Sequence, residues 1–159
     1  WARMIGMHDL SDGKSVTVKM NEGCIFENFA PTYFSGGAGL ASTLLDYSAF
    51  AEMLLEEGKN ILPKELVFAM SSPQLPSGIM PGNQVWGLGV RVITDDSYKY
   101  LPKGTFGWSG AYGTHFWVDP VNRITAVYMK NSRFDGGAGA NTANKFEIDV
   151  FNSLKGESI

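Results

Sequence analysis

Residues 104–120, GTFGWSGAYGTHFWVDP, constrain the fold of this chain more than any other stretch. Five aromatic residues, Phe106, Trp108, Tyr112, Phe116 and Trp117, are interleaved with four glycines. Aromatic and β-branched side chains suit a pleated surface. Runs of them on either side of Gly110-Ala111-Tyr112-Gly113 therefore spell two strands joined by a tight turn. Asp119-Pro120-Val121-Asn122 reads as the next turn, with Asp119 bonding its own backbone, and residues 123–129 (RITAVYM) read as the next strand. The expected unit is an antiparallel meander with a small hydroxyl residue, Ser109, beside its first turn.

The other segments arrange themselves around this meander. Val16 and Val18 alternate with Thr17 and Lys19, a half-buried strand, and residues 3–20 read as two extended pieces around a turn at 9–13. Residues 21–39 form an irregular loop ending in a Gly-rich run. No Lys-Ser or Lys-Thr pair follows that run, so it is not a phosphate-binding loop. Residues 43–57 are the clearest helix: Thr43 is its cap, and Tyr47, Phe50, Ala51, Leu54 and Leu55 make one apolar stripe. Gly58 stops it. Pro63 opens a shorter helix that buries Leu66, Val67 and Met70. Residues 85–93 read as one strand, weakened by Gly87 and Gly89. After the glycines at 136–139, Asn141 caps a final helix whose buried face is Ala143, Phe146, Val150, Phe151 and Leu154. The fold class is α+β, an antiparallel sheet flanked by helices.

Charge and composition exclude several functions. With 13 basic and 16 acidic residues the net charge is −3, which gives no electrostatic footprint for nucleic acid or an anionic membrane. No apolar run approaches the ~18 residues that cross a bilayer. No signal peptide is visible, the first residue is Trp1 rather than Met, and the compartment stays open. The single cysteine, Cys24, excludes an internal disulfide and reads as a packed side chain. No His/Cys/Asp/Glu grouping has metal-ligand spacing, and no cofactor is implied.

Three stretches together carry a family resemblance. Trp108-Ser109-Gly110-Ala111, then Gly113-Thr114 and Phe116-Trp117-Val118-Asp119-Pro120, resembles the third motif of the serine β-lactamase and penicillin-binding-protein superfamily. The similarity is greatest to its class C-like branch, which includes carboxylesterases. Residues 35–55 resemble that family's Gly-rich lead into a helix, and Trp86-Gly87-Leu88-Gly89-Val90 resembles the strand before the motif. The resemblance implies the C-terminal part of a β-lactamase/transpeptidase-like fold. It also implies an oxyanion donor at the Ala111 amide, and a Ser109 hydroxyl offered to substrate or to a proton relay. Substrate-binding positions are implied at Trp108, Gly110 and Tyr112. Trp108 stands where many members carry a cation, so a neutral ester or amide suits the site better than a carboxylate-bearing substrate.

An acyl-transfer site also needs a nucleophile and a base. The family's Ser-x-x-Lys motif must lie at a helix start. Its one match here, Ser11 to Lys14, encloses Asp12-Gly13, a hairpin turn. The family's second motif, Tyr or Ser followed two residues later by Asn, has no match. His115 invites the role of general base, but Asp119 reads as making its own turn rather than orienting a histidine, no other acid partner lies near in sequence, and His115 reads as a structural or surface histidine; His8 reads as non-catalytic. The expectation is that residues 1–159 are the C-terminal part of one such domain, with the nucleophile upstream. The chain would be inactive alone, would act within the parent on a small-molecule or peptide substrate, and would be held by an N-terminal segment or by self-association. Phe106, Trp108, Phe116 and Trp117 cannot all face one helix, so part of this aromatic surface is expected to be uncovered. The alternative is a non-catalytic binding or scaffold protein that keeps the fold.

Overall fold

The structure is a computed structural model that describes residues 5–11, 14–18, 37, 40–80, 82–132 and 141–156. Cys24 and the Gly-rich runs at 35–39 (apart from Gly37) and 136–139 lie outside these residues. The first pair of strands, β1 (Met7–Ser11) and β2 (Lys14–Val18), is an antiparallel hairpin in which Ser11 faces Lys14 across the two-residue connection. Ser11 and Lys14 thus sit on two strands and not on a helix. A main-chain bond from His8 N to Asn131 O (2.8 Å) ties this hairpin to the chain beyond the main sheet.

That main sheet has five antiparallel strands in sequence order: β3 (Gln84–Trp86), β4 (Arg91–Ile93), β5 (Phe106–Ser109), β6 (His115–Asp119) and β7 (Ile124–Tyr128). The expected strand at 85–93 is instead a hairpin. Gly89 takes φ +77°, which reverses the chain between β3 and β4. At Gly87 a side chain would collide with the Met70 carbonyl. The two glycines that weakened the strand reading are thus the corner and the close approach of a turn.

The register assigns every side chain to a face. Phe106 opposes Val118 and Trp108 opposes Phe116 on one face; Gly107 opposes Trp117 and Ser109 opposes His115 on the other. The first face is covered by α1 (Leu44–Leu55) and α2 (Lys64–Met70). Ala51, Met53, Leu54 and Val67 pack there against Val92, Phe106, Phe116 and Val118. The second face is covered by α3 (Asn141–Lys155), where Phe146 and Val150 pack on Ile93, Leu101, Trp117 and Ala126. Strand β6 is buried along its whole length.

Helix α1 begins as expected: the Thr43 hydroxyl accepts from Asp46 N at 3.2 Å. At its end, Gly58 N reaches Met53 O (2.8 Å) and Glu57 N reaches Leu54 O (3.2 Å). This double closure puts Glu57, at φ +53°, in the left-handed position, one residue before the expected Gly58. Helix α3 starts at Asn141 itself and ends at Lys155, with Gly156 at φ +71°.

Of the four sheet aromatics expected to be partly uncovered, only Trp108 is, standing half-buried. Phe106, Phe116 and Trp117 are buried, because the sheet is covered on both faces. The exposed large apolar side chains lie on helices and on the connections between elements instead: Leu45 and Leu66 stand 80 % and 56 % exposed on helices, and Leu40 and Ile61 stand 96 % and 72 % exposed between elements. Phe50, Leu66 and Leu154 are exposed and leave the apolar faces in which periodicity placed them. Among the described residues no helix is long and apolar enough to cross a membrane.

Candidate active site

The β5–β6 turn is built by two main-chain bonds, Gly110 N to Thr114 O (2.7 Å) and Gly113 N to Gly110 O (2.9 Å). Gly113 takes φ +92°, while Ala111 and Tyr112 keep negative φ. That is a three-residue hairpin loop with a left-handed glycine at its third position. Ala111 forms the exposed first corner, and its amide is not used by either turn bond. A side chain at Gly110 would meet the Thr114 hydroxyl.

Strand β4 pairs with β5 only as far as Arg91 opposite Gly107. From Trp108 onward the β4-side edge of β5 runs past the end of that ladder. Gly110 directs its amide toward β6, and amides alternate sides along an extended strand, so the Ser109 amide points to this edge, which among the described residues no strand extends and which is open in that sense. Trp108 is half-buried at the same place, with its ring centroid 4.3 Å from that of Trp86. Tyr112 is half-buried in the turn. Trp108 and Ser109 therefore flank one edge but point to opposite faces of the sheet.

On the α3 face, Ser109 does not stand alone. Its Oγ lies 2.7 Å from His115 Nδ1, and His115 Nε2 lies 2.9 Å from Glu147 Oε1. Arg91 pairs with the same carboxylate oxygen, and Tyr98 donates its phenol to Oε2 at 2.7 Å. Ser109, His115 and Glu147 are 7 %, 3 % and 1 % exposed, so the row lies in the interior. Burial alone would raise the Glu147 carboxyl. The hydrogen bond with His115, the charge of Arg91 and the bond from Tyr98 outweigh it and hold the group below its ordinary value. Burial, reinforced by the hydrogen bond to Glu147 and its charge, pushes the Tyr98 phenol up to about 12.

The sequence reading missed this row. His115 is buried and has an acid partner, which comes from α3 and lies 32 residues further along the chain. Glu147 drew no notice because it sits inside an apolar helical stripe, between Ala143 and Phe146 on one side and Val150 and Phe151 on the other. That placement was itself a signal, since a carboxylate on a buried face must find partners. Asp119 behaves as read: its carboxylate accepts from Val121 N (2.9 Å) and Asn122 N (3.0 Å) and holds the turn. Among the described residues no group of His, Cys, Asp or Glu could hold a metal ion.

Comparison with known proteins agrees with this architecture. The Beta-lactamase family model matches residues 5–149. This chain belongs to the Beta-lactamase family. Esterase EstB of Burkholderia gladioli is 28 % identical over 134 residues, covering 82 % of this chain and 33 % of its own length. Protein Rv1367c of Mycobacterium tuberculosis is 33 % identical over 118 residues, covering 62 % of this chain and 29 % of its own. Two solved structures share the fold. EstCE1, a hydrolase with promiscuous acyltransferase activity, superimposes with a TM-score of 0.73 at 23 % identity over 92 % of this chain and 42 % of its own. Simvastatin synthase (LovD) from Aspergillus terreus, in its LovD6 mutant form, gives 0.77 at 20 % identity over 97 % and 43 %. The chain spans about a third of the length of these curated Beta-lactamase family relatives.

Proposed function

We propose that this chain forms the third-motif wall of a serine hydrolase active site, and that the attacking serine and its base are supplied from outside residues 1–159 of the same protein. The serine oxygen attacks the carbonyl of an ester, amide or β-lactam, the alcohol or amine leaves with a proton, and water then releases the acid from the acyl-serine. Within this chemistry, Ala111 N–H is a donor to the tetrahedral oxyanion. Trp108 and Tyr112 border the acyl compound, and Gly110 lets it approach the strand. The observation that carries the reading is the β5 edge left open beyond Gly107, with the Ala111 amide unspent by its own turn. The esterase and hydrolase relatives support a neutral acyl substrate, and so does an indole where a cation would attract a carboxylate.

The test is Ala111→Pro in the whole protein. Ala111 is the first corner of its turn at negative φ, a position that accepts proline, so the fold is kept while the N–H is removed. Hydrolysis of p-nitrophenyl acetate is expected to fall in kcat by about 10²–10³-fold, the usual cost of one oxyanion donor. An unchanged kcat in a folded variant would reject the assignment.

One observation favours a second reading. The Ser109–His115–Glu147 row has the bonding order of a nucleophile, a base and an orienting acid. On that reading Ser109 itself is acylated. Its place argues against it, because Ser109 stands on a strand and not at a helix start one turn ahead of a lysine.

A further inference from the structure

The buried row leaves little freedom as to where its protons sit. Glu147, paired with Arg91 and receiving the Tyr98 phenol, is an ionised carboxylate and can only accept hydrogen bonds. Its 2.9 Å contact with His115 Nε2 therefore requires a proton on Nε2. Arg91 already balances the Glu147 charge, so a second proton on the imidazole would leave a surplus positive charge in the interior. Among the described residues, the other groups beside the ring offer no carboxylate to compensate it: Trp117 lies on the same strand at 5.4 Å between ring centroids, Tyr128 is opposite on β7, and Ser109 is opposite on β5. A neutral ring protonated at Nε2 has a bare Nδ1, and a bare nitrogen is an acceptor. The Ser109 hydroxyl, 2.7 Å away, is left as the donor.

We propose that Glu147 is a positioning residue: through His115 it commits the Ser109 proton to Nδ1, so that the Ser109 oxygen can only accept from any ligand at the open edge of β5. The consequence for specificity rests on the proposed function. With Trp108 in place of a cation and Ser109 unable to donate, the edge takes an acyl compound that presents a neutral or hydrogen-bond-donating group, and it disfavours a carboxylate there.

Nitrogen-15 NMR of the 159-residue chain, labelled at its two histidines, reads the proton positions directly. His8→Gln assigns the His115 signals, and the correlations to the ring C–H protons tell Nδ1 from Nε2. At neutral pH, Nε2 is expected at the shift of a protonated ring nitrogen and Nδ1 at that of a bare one. Glu147→Leu, which removes the acceptor, should erase this preference and give a shifted, mixed pattern. Should that variant not fold, Ser109→Ala serves in its place and must keep the Nε2 proton, because Glu147 remains. A wild-type ring protonated at Nδ1, a doubly protonated ring, a Glu147→Leu spectrum like wild type, or loss of the Nε2 proton in Ser109→Ala would each overturn the proposal. The readout needs no turnover, so a failure of the hydrolase reading leaves it intact and a failure here leaves the Ala111 assignment intact.

Discussion

On the α1 side of the sheet, Phe106, Phe116 and Val118 meet Ala51, Met53 and Leu54 in an apolar cluster. On the α3 side, Ile93, Leu101 and Trp117 share the interior with Ser109, His115 and Glu147. Both faces exclude water, yet they are held differently. The first depends on contact area, which is non-directional and tolerant of detail. The second depends on a chain of directed bonds in which each group needs its neighbour, so it is costly to break at any one point. The first face anchors α1 and α2, and the second holds α3 and bonds the Ser109 hydroxyl beside the strand edge.

Cutting each face once gives the largest expected effects. Phe116→Ala and Glu147→Ala should each cost about 3–5 kcal/mol of unfolding free energy, the first through a cavity and the second through an unpaired buried charge on Arg91. Urea denaturation checks both values. A Glu147→Ala loss below 1 kcal/mol would mean that the polar row is not tightly coupled.

The pH dependence separates the two costs, which are similar in size. Glu147 sits below its ordinary value of 4.5 in the folded chain, so its contribution is complete above that value and is lost as the pH falls through the folded value. Tyr98 is raised from 10.0 to about 12, so its contribution is complete below 10.0 and is lost as the pH rises from there toward 12. Wild type should therefore lose stability at both ends of the scale. Tyr98→Phe should reduce the alkaline loss to the share of Tyr47, whose phenol is also raised by burial, Glu147→Ala should flatten the acid limb, and Phe116→Ala should leave the acid limb unchanged. Melting temperature followed across pH reads all four chains.

The smallest effect expected is that of Ser109→Ala. It deletes the hydroxyl and leaves His115 Nδ1 buried without that partner, a cost of about 1–3 kcal/mol in the same urea measurement. A neutral or stabilising result would show that the Ser109 bond is replaceable.

The contrast between the faces also explains what could be read from the sequence. The apolar side was legible, because alternation in FGWS and HFWVD and the stripe Ala51, Leu54 and Leu55 are local periodicities with one physical cause. The turn at Gly113, the cap at Thr43 and the Asp119 turn were legible for the same reason, since each is decided within four residues. The split of residues 85–93 was hidden because two glycines can mark either a weakened strand or a corner, and only the approach of Met70 O to Gly87 decides between them. The polar row was hidden because its members come from β4, β5, β6 and α3, so that no window of sequence contains it. Leu66 and Leu154 were misplaced for a related reason: periodicity finds a stripe, but its width depends on what the fold lays against it.

Covalent labelling of the 159-residue chain with a fluorophosphonate, read by intact mass and peptide mapping, tests the account most directly. With the nucleophile outside residues 1–159 and Ser109 in an orienting role, no phosphonylated adduct is expected at neutral pH. A stoichiometric adduct on Ser109, abolished by His115→Ala in a chain that still folds, would contradict it and make this serine the nucleophile.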